Sequence, residues 1–501
     1  MVLRILEVLY TSYWPKDYTV HIIIGLLAAY VLRTVAQGRK TNRERDLHAR
    51  VVLMTGAFTP LGLTILQSLA QQGAHIIALC QEPVDSTHIT LLIDILRTTT
   101  SNEQIYAEEC DLKSPTSIRA FCTKFLTGKE QRLDAIIFGH EHRHIGSPWP
   151  FSNATIDRDQ KERDSGSLAS FLITTLLLPA LLVAPVERDI RIINVVNPFY
   201  AAAGGLPFSP SFSYEIPAAQ ANSLFLREGQ RSLRTIVLTR HIQRVLDALP
   251  TSSQIPKTEE GSSAVPIVSS KHQKSNITSV SVSPGIGRVD TISSFLSADW
   301  KSPKGFSYFG ILLYIMLQPL FLMLLKSPYA AMQTVLHALY LPTPFKILAQ
   351  TTVVSQNKEA QKSEGPIDVS ELDMPEEVLL PGSLYAECAS VKIDVKIPQE
   401  VLDKDQEDKD KRAEIKTRDK GKAKEKTPLQ EEVLEIEDDG EYGGEVGGRL
   451  VWESYEQALK IWEKETPPTE RDIEREQLDK EKKHSNPESP PPPVDIDQAY
   501  N

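Results

Sequence analysis

The stretch VVLMTGAFTPLG, from Val51 to Gly62, decides the fold of this chain. Its first five residues are apolar or β-branched and predict a buried strand, and the small residues that follow predict a tight turn into a helix. A strand, a glycine-containing turn and a helix N-terminus form the unit in which backbone N–H groups hold a phosphate. The stretch therefore predicts the start of an α/β domain with a nucleotide site at its first turn.

Apolar runs and helical patterns alternate along the chain after Val51, which is typical of βα units in a parallel sheet. The predicted strands are Val51 to Thr55, Ala74 to Cys80, Ile105 to Glu109, Ala135 to Gly139, Arg191 to Val196 and Ile277 to Ser283. The predicted helices are Leu61 to Gln72, Ser86 to Thr99, Ser114 to Leu126, Ser167 to Leu182 and Gln220 to Leu249. This order predicts a Rossmann-type doubly wound parallel sheet over residues 48–350, with a polar loop insertion at 251–275.

An apolar run from Tyr18 to Val35 precedes this domain and is about as long as one bilayer crossing requires. We predict an N-terminal segment at 1–17, a transmembrane anchor at 18–35 and a basic linker at 36–47. Because Arg and Lys are concentrated after the run, the positive-inside rule places the domain in the cytosol, on the endoplasmic reticulum or the mitochondrial outer membrane. A cleaved signal peptide and a buried core helix are the alternatives.

A second apolar run, residues 306–325, is long enough to span a bilayer but contains Gln318-Pro319. We interpret it as a membrane-associated segment that lies in the interface or re-enters it. A buried core helix or substrate lid is the second interpretation, and a true transmembrane span is the third.

The chain has 501 residues, is 41% hydrophobic and carries a formal net charge of -11. The acidic excess lies in residues 401–501, which hold 18 Lys and Arg against 29 Asp and Glu. A neutral body with an acidic tail lacks the clustered basic surface that nucleic acids require, so we exclude a nucleic-acid partner. The composition of residues 351–501 predicts a disordered charged tail.

One short helix is predicted inside this tail, at residues 450–465. It carries one apolar stripe at the spacing i, i+3, i+7 and i+10, formed by Trp452, Tyr455, Leu459 and Trp462. Such a stripe suits binding to a groove of a protein partner or contact with the domain of its own chain, and a transient helix in a solvated tail is the alternative.

Several short motifs fall in order on the predicted strands. They are Thr55, Gly56 and Gly62 in the first turn, Cys110-Asp111-Leu112 after the third strand and Ser283-Pro284-Gly285 at the end of the sixth. In this order they resemble the short-chain dehydrogenase/reductase superfamily. More narrowly, the anchor and the altered motifs are similar to a divergent, membrane-anchored fungal branch with a domain of unknown function. Pro60 stands where the superfamily has its middle glycine.

The resemblance implies NAD(H) or NADP(H) as cofactor, held by Thr55, Gly56, Gly62 and Asp111. Glu82 lies about 20 residues past the turn, where an acid contacts the ribose of a dinucleotide. No metal is expected. The four cysteines form no CxxC pair, and the sequence His140-Glu141-His142-Arg143-His144 is not the zinc-binding HExxH motif.

The resemblance also implies a catalytic tyrosine with a lysine four residues later, but none of the 15 tyrosines has one. Tyr214 is the best placed and is followed by Ala218, and counting back along the long helix gives Gly229 and Leu233 at the two positions. The segments that should carry the catalytic serine and the Asn-Asn-Ala-Gly turn read Val196-Asn197-Pro198 and Phe138-Gly139-His140-Glu141.

We therefore predict a membrane-anchored protein without the Tyr-Lys pair that binds a nucleotide or serves as a scaffold. The alternative is a divergent NAD(P)-dependent oxidoreductase for a lipophilic carbonyl or alcohol, with Tyr214 or the His140 to His144 cluster as the acid. A purely structural membrane protein is the third hypothesis.

Overall fold

The computed structural model describes residues 19–128, 132–143, 153–185 (backbone only at 153–159), 188–212, 224–249, 275–298, 307–343, 377–399, 401–403, 406, 436 and 438–466. The predicted insertion at 251–275, apart from Ser275, lies outside these residues, as do Tyr214 and His144.

Eight strands alternate with helices in the described residues. The strands are β1 (Val51–Thr55), β2 (His75–Cys80), β3 (Ile105–Glu109), β4 (Ala135–Phe138), β5 (Ile190–Val195), β6 (Ile277–Ser283), β7 (Leu384–Ala386) and β8 (Ala389–Val391). The helices are α1 (Thr19–Gln37), α2 (Pro60–Gln71), α3 (Thr87–Thr100), α4 (Pro115–Thr127), α5 (Asn153–Leu182), α6 (Tyr200–Ala203), α7 (Leu224–Ala248), α8 (Tyr308–Leu324), α9 (Pro328–Tyr340) and α10 (Gly444–Glu465). The first six strands lie within one residue of their predicted ends.

Local capping explains where three of these helices begin. The side chains of Thr59, Ser86 and Ser114 accept hydrogen bonds from the N–H groups three residues later. Pro60 and Pro115 occupy the first helical position, where a missing N–H costs nothing. The helix predicted from Ser114 therefore begins at this cap.

The strands form one sheet in the order β3-β2-β1-β4-β5-β6-β7-β8. All neighbours are parallel except β7 and β8. The order reverses between β1 and β4, where Thr55 pairs with Phe138, and a crevice for ligands lies at the carboxyl ends of strands at such a point. The Rossmann-type doubly wound fold is therefore confirmed.

The sheet continues beyond residue 350, where the sequence analysis placed a disordered tail. Leu384 to Ala386 pair with β6, and the buried Tyr385 hydroxyl accepts a hydrogen bond from the N–H of Leu380 at 2.8 Å. The predicted domain end is therefore wrong. Strands of three residues are too short to show an alternating pattern, which is why the sequence did not reveal them.

Helix α10 also belongs to the folded domain. It packs on α5 and α7, with Tyr455 buried and its ring 4.7 Å from Phe212 and 5.3 Å from Phe171. Trp452, Leu459 and Trp462 pack against the same core. The helix predicted at 450–465 is present as Gly444–Glu465, and its stripe contacts the domain of its own chain, which was one of the predicted alternatives. The disorder predicted for residues 438–449 is corrected to a turn and the start of this helix. A partner protein bound at this stripe stays a prediction.

Two described helices are long and apolar enough to cross a membrane. Residues Gln160–Leu182 of α5 are mostly buried in the domain, so they form a core helix. Helix α1 coincides with the predicted anchor at 18–35 and buries none of its residues.

Candidate functional site

The turn between β1 and α2 requires glycine at two positions. Gly56 has φ +66°, and a Cβ there would lie 2.7 Å from the backbone nitrogen of His140. A Cβ on Gly62 would overlap the carbonyl oxygen of Gly56. The two glycines therefore let the turn lie against the end of β4 and the first turn of α2.

The N–H groups at the start of α2 are already bonded within the chain. Gly62 N donates to the Thr59 hydroxyl at 3.0 Å, and Leu61 N lies 3.4 Å from a carboxylate oxygen of Asp290. Asp290 belongs to a π-helical turn at Arg288–Ser293, here named the cap segment, which follows β6. A buried carboxylate thus lies at a helix N-terminus, where an anion is stabilised. Burial raises the pKa of Asp290, although the Leu61 N–H and Arg143 oppose this.

The two acids predicted to contact the nucleoside lie after neighbouring strands. The Glu82 side chain is 60% exposed on the loop after β2 and accepts from the Ser86 hydroxyl at 3.4 Å. Asp111 follows β3 and accepts from Lys113 N at 3.0 Å and from the Gln81 side chain at 3.3 Å. Since Cys80 pairs with Glu109, both acids lie at the carboxyl edge of the sheet.

His140 is buried at the end of β4 and holds the glycine turn. Its Nδ1 lies 2.7 Å from the Thr55 hydroxyl and its Nε2 lies 2.9 Å from the carbonyl oxygen of Gly166. We assign the proton to Nε2, so that Nδ1 accepts from Thr55. Burial lowers the pKa of His140, which favours the neutral ring. Both ring nitrogens are therefore occupied by this chain.

Glu141 is buried beside α5 and α7 and accepts two hydroxyl hydrogen bonds, from Ser170 and from Thr235, each at 3.1 Å. The backbone carbonyl of Glu141 accepts from Arg231 at 3.0 Å. Its carboxylate is thus held inside the domain. Burial raises the pKa of the Tyr455 phenol on α10, and the nearby Glu141 carboxylate raises it further. These contacts tie the end of β4 to α5 and α7.

A second buried carboxylate lies near the start of α7. Glu228 pairs with Arg163 and with Arg231, each at 2.9 Å, and all three side chains are at most 7% exposed. Burial raises the pKa of Glu228, and the two guanidinium groups oppose that rise. We name Glu141, Glu228, Arg163 and Arg231 the buried charge cluster.

The helix α7 positions proposed from the sequence hold no polar side chain. Gly229 packs against α6, since a Cβ there would lie 2.5 Å from the carbonyl oxygen of Phe199, and Leu233 is in the apolar core. The charge cluster was missed because an acid and a base at i and i+3 predict an exposed helix face as readily as a buried pair.

A buried lysine lies beside the Pro284-Gly285 element. Lys326 Nζ donates to the carbonyl oxygen of Pro284 at 2.9 Å and contacts Glu387 at 2.5 Å. His142 is buried nearby, and its pKa is lowered to about 4 by burial, with a smaller contribution from Lys326. The carbonyl of His142 accepts from Asn197 at 3.2 Å. No sequence motif indicates Lys326, which reaches this edge from the end of α8.

Among the described residues, no group of three or more His, Cys, Asp or Glu side chains is arranged to hold a metal ion. The four free cysteines, Cys80, Cys110, Cys122 and Cys388, are buried.

No family model matches the chain. It is 23% identical over 346 residues to an uncharacterised oxidoreductase of Schizosaccharomyces pombe, covering 69% of this chain and 83% of that protein. It is 33% identical over 184 residues to an uncharacterised oxidoreductase of Saccharomyces cerevisiae, covering 34% of this chain and 44% of the relative. It is 29% identical over 194 residues to human retinol dehydrogenase 12, covering 38% and 58%. The last two matches span less than two thirds of the relatives.

Solved structures of short-chain oxidoreductases also match. A metagenomic enzyme in complex with NADP has 18% identity and a TM-score of 0.31, over 48% of this chain and 83% of that one. The NADPH-bound short-chain oxidoreductase of Pseudomonas aeruginosa, described as containing an atypical catalytic center, has 15% identity and a TM-score of 0.34, over 58% and 90%.

Proposed function

Since the chain resembles the short-chain dehydrogenase/reductase superfamily in its relatives and in its strand order, we propose that it is a membrane-associated protein that binds NAD(H) or NADP(H) without the superfamily's Tyr-Lys reaction. Its domain faces the cytosol from the endoplasmic reticulum or the mitochondrial outer membrane, and it acts as a nucleotide-dependent scaffold. The oxidoreductase names of the relatives and the NADP in the metagenomic enzyme motivate the choice of ligand.

The backbone frame at the β1–α2 turn suits a dinucleotide. Thr55, Gly56 and Gly62 would face the pyrophosphate, while Asp111 and Glu82 would contact the nucleoside at the ends of β3 and β2. When bound, the nicotinamide supplies or accepts a hydride. The carboxylate of Asp290 has to leave the first turn of α2 before a phosphate can take its place, because two anions repel each other there.

The buried charge cluster is the observation that favours a protein without catalytic activity. Glu228 is neutralised by Arg163 and Arg231, so these side chains stabilise one another inside the fold. A group that acts as a general acid has to reach a substrate and exchange a proton with it, and Glu228 is completely buried. The cluster is thus better suited to holding α5 and α7 together than to acid catalysis.

The second candidate function is an oxidoreductase for a lipophilic carbonyl or alcohol. One observation favours it: a buried ammonium group, Lys326, lies beside Pro284 and close to the neutral imidazole of His142. Lys326 and His142 at this edge could take the proton-transfer role of the missing Tyr-Lys pair. The name of the retinol dehydrogenase relative motivates an apolar substrate.

The deciding experiment uses the full chain in mild detergent, titrated with NADH and NADPH while nicotinamide fluorescence is followed. Gly56→Ala should abolish binding, because its Cβ would meet the His140 backbone at a φ of +66°. Gly205→Ala is the matched control, since Gly205 has φ +82° and open space around it. Binding that survives Gly56→Ala, or no binding to the folded chain, contradicts the proposal.

Turnover separates the two candidate functions. The chain with NADPH is assayed on aliphatic and polyene aldehydes, together with Lys326→Met and His142→Gln. The proposal expects no turnover above background in any of them. Turnover that falls at least tenfold in Lys326→Met, with NADPH affinity kept, would establish the oxidoreductase instead.

A further inference from the structure

Helix α8 is strongly apolar, and both of its ends are fixed to the same edge of the domain. At the start, Ser307 N donates to the carbonyl oxygen of Ser297 at 2.9 Å, and Gly310 packs directly on the carbonyl of Leu296. At the end, Lys326 N donates to Ile286 O at 3.2 Å, and Arg288 N donates to Lys326 O at 3.0 Å. The chain thus leaves the domain after β6 and returns to the same segment.

The outward face of α8 is a continuous apolar surface. Seven large side chains on it are exposed, with Tyr308 at 81% and Met316 at 72%: Tyr308, Phe309, Leu312, Ile315, Met316, Leu320 and Leu324. At about 3.6 residues per turn these side chains cover roughly half of the helix circumference, and residues 309, 316 and 320 lie on the same side. No charged residue occurs in α8. An exposed apolar surface of this kind marks a contact with lipid or protein.

Helix α1, the candidate membrane span, contacts the end of α8 and indicates that lipid covers the apolar face of α8. Arg33 donates to the carbonyl oxygen of Leu322 at 2.6 Å, and Gln37 donates to Leu325 O at 2.9 Å. The Ser327 hydroxyl donates to the side-chain oxygen of Gln37 at 2.9 Å. These bonds satisfy carbonyl groups at the end of α8 that have no partner inside the helix. The apolar face of α8 therefore continues into the candidate membrane span.

We propose that α8 lies in the interface of the bilayer that holds α1, with its apolar face in lipid, and does not cross it. A helix of 17 residues is about 25 Å long, and crossing would place its two ends on opposite sides of the membrane. Both ends are instead bonded to Ile286, Arg288 and Ser297 of one folded segment. The surface chemistry fits acyl chains and the headgroup boundary rather than a polar partner. This inference does not depend on the nucleotide.

The test measures depth in the bilayer along α8. The full chain is reconstituted in phosphatidylcholine vesicles, and single cysteines at Phe309, Met316 and Leu320, which face the same side of α8, are labelled with an environment-sensitive fluorophore while the native cysteines remain buried. Lipids that carry nitroxide quenchers at a shallow or a deep acyl position then report depth. Leu26→Cys in α1 is the lipid-contacting control, and Ile95→Cys, an exposed apolar position on α3, is the control outside the membrane.

An interfacial helix gives equal, shallow depths at all three positions, with the shallow quencher at least twice as effective as the deep one. A midpoint at Met316 that is deeper than both ends would mean a span and would overturn the proposal. Absence of quenching at all three positions, with Leu26 quenched, would also overturn it, because the face would then be covered by a second copy or another protein.

Discussion

Asp290 lies with a carboxylate oxygen 3.4 Å from the backbone nitrogen of Leu61, across 229 residues of sequence. The contact joins the segment after the last long strand to the helix that follows the first strand. A carboxylate at this helix N-terminus has the charge of the phosphate that we propose for the same place.

Asp290→Asn should tighten the binding of NADPH. A helix N-terminus stabilises a carboxylate by about 1 kcal/mol, and without that charge the phosphate displaces residue 290 more easily, which is roughly fivefold in the dissociation constant. The measurement is the fluorescence titration of the full chain. The control is Asp94→Asn, an exposed acid on α3. Equal affinities of Asp290→Asn and the unchanged chain would show that Asp290 does not compete with the ligand.

Glu228→Gln should be among the most destabilising single changes in the domain. It leaves Arg163 and Arg231 without the carboxylate that pairs with both, and breaking a buried ion pair costs about 3–5 kcal/mol. Glu453→Gln removes an exposed helix pair with Arg449 and should cost less than about 1 kcal/mol. Urea unfolding in detergent compares the two variants. A loss at Glu228 no larger than at Glu453 would refute the structural role of the cluster.

The free energy of unfolding should fall as pH drops from about 6.5 towards 4, partly through His142. The pKa of His142 in the folded chain is lowered to about 4. In this pH range His142 therefore binds a proton in the unfolded chain but not in the folded chain. The slope from one such group approaches about 1.4 kcal/mol per pH unit. His142→Gln should remove that part of the slope, while His88→Gln, at a surface side chain, should not. Parallel stability profiles for wild type and His142→Gln would contradict the assignment.

Tyr455→Ala should loosen α10 from the domain. A buried aromatic side chain cut back to alanine costs about 3–5 kcal/mol, and this one contacts Phe171 and Phe212. We expect faster hydrogen exchange over Gly444–Glu465 and faster proteolysis there. Ile461→Ala on the exposed side of the same helix is the control. An unchanged exchange rate in α10 would mean that Tyr455 does not hold it.

A chain that ends at residue 350 should not fold cooperatively, whereas one that ends at 466 should. The shorter chain lacks β7, the parallel neighbour of β6, and the buried Tyr385, Tyr442 and Tyr455. Thermal unfolding followed by near-ultraviolet circular dichroism distinguishes a cooperative transition from a loose state. A cooperative transition in the shorter chain would mean that the added strands are dispensable.

The first six strands could be predicted closely because their residues are mostly apolar or β-branched and are bounded by polar or turn residues, as at Ala135–Phe138. The short strands β7 and β8 could not be predicted, because three residues show no alternating pattern and their order comes from pairing with neighbouring strands, β7 with β6 and β8 with β7. The glycine turn was predicted from the small residues between a strand and a helix and from the resemblance that Thr55, Gly56 and Gly62 carry. The positions of Asp290 and Lys326 could not be predicted. Each contacts residues that are distant in the sequence, and neither lies in a recognisable local motif.

Helix α10 has a consequence for synthesis of the chain at the ribosome. About 430 residues separate the end of α1 from the end of α10, and elongation at 5–20 residues per second takes roughly 20 to 90 s. A span near the N-terminus can thus enter the membrane long before α5 and α7 receive the helix that covers them. During that interval the surface around Phe171 stays open, so the nascent chain exposes part of its apolar core at the membrane until α10 emerges.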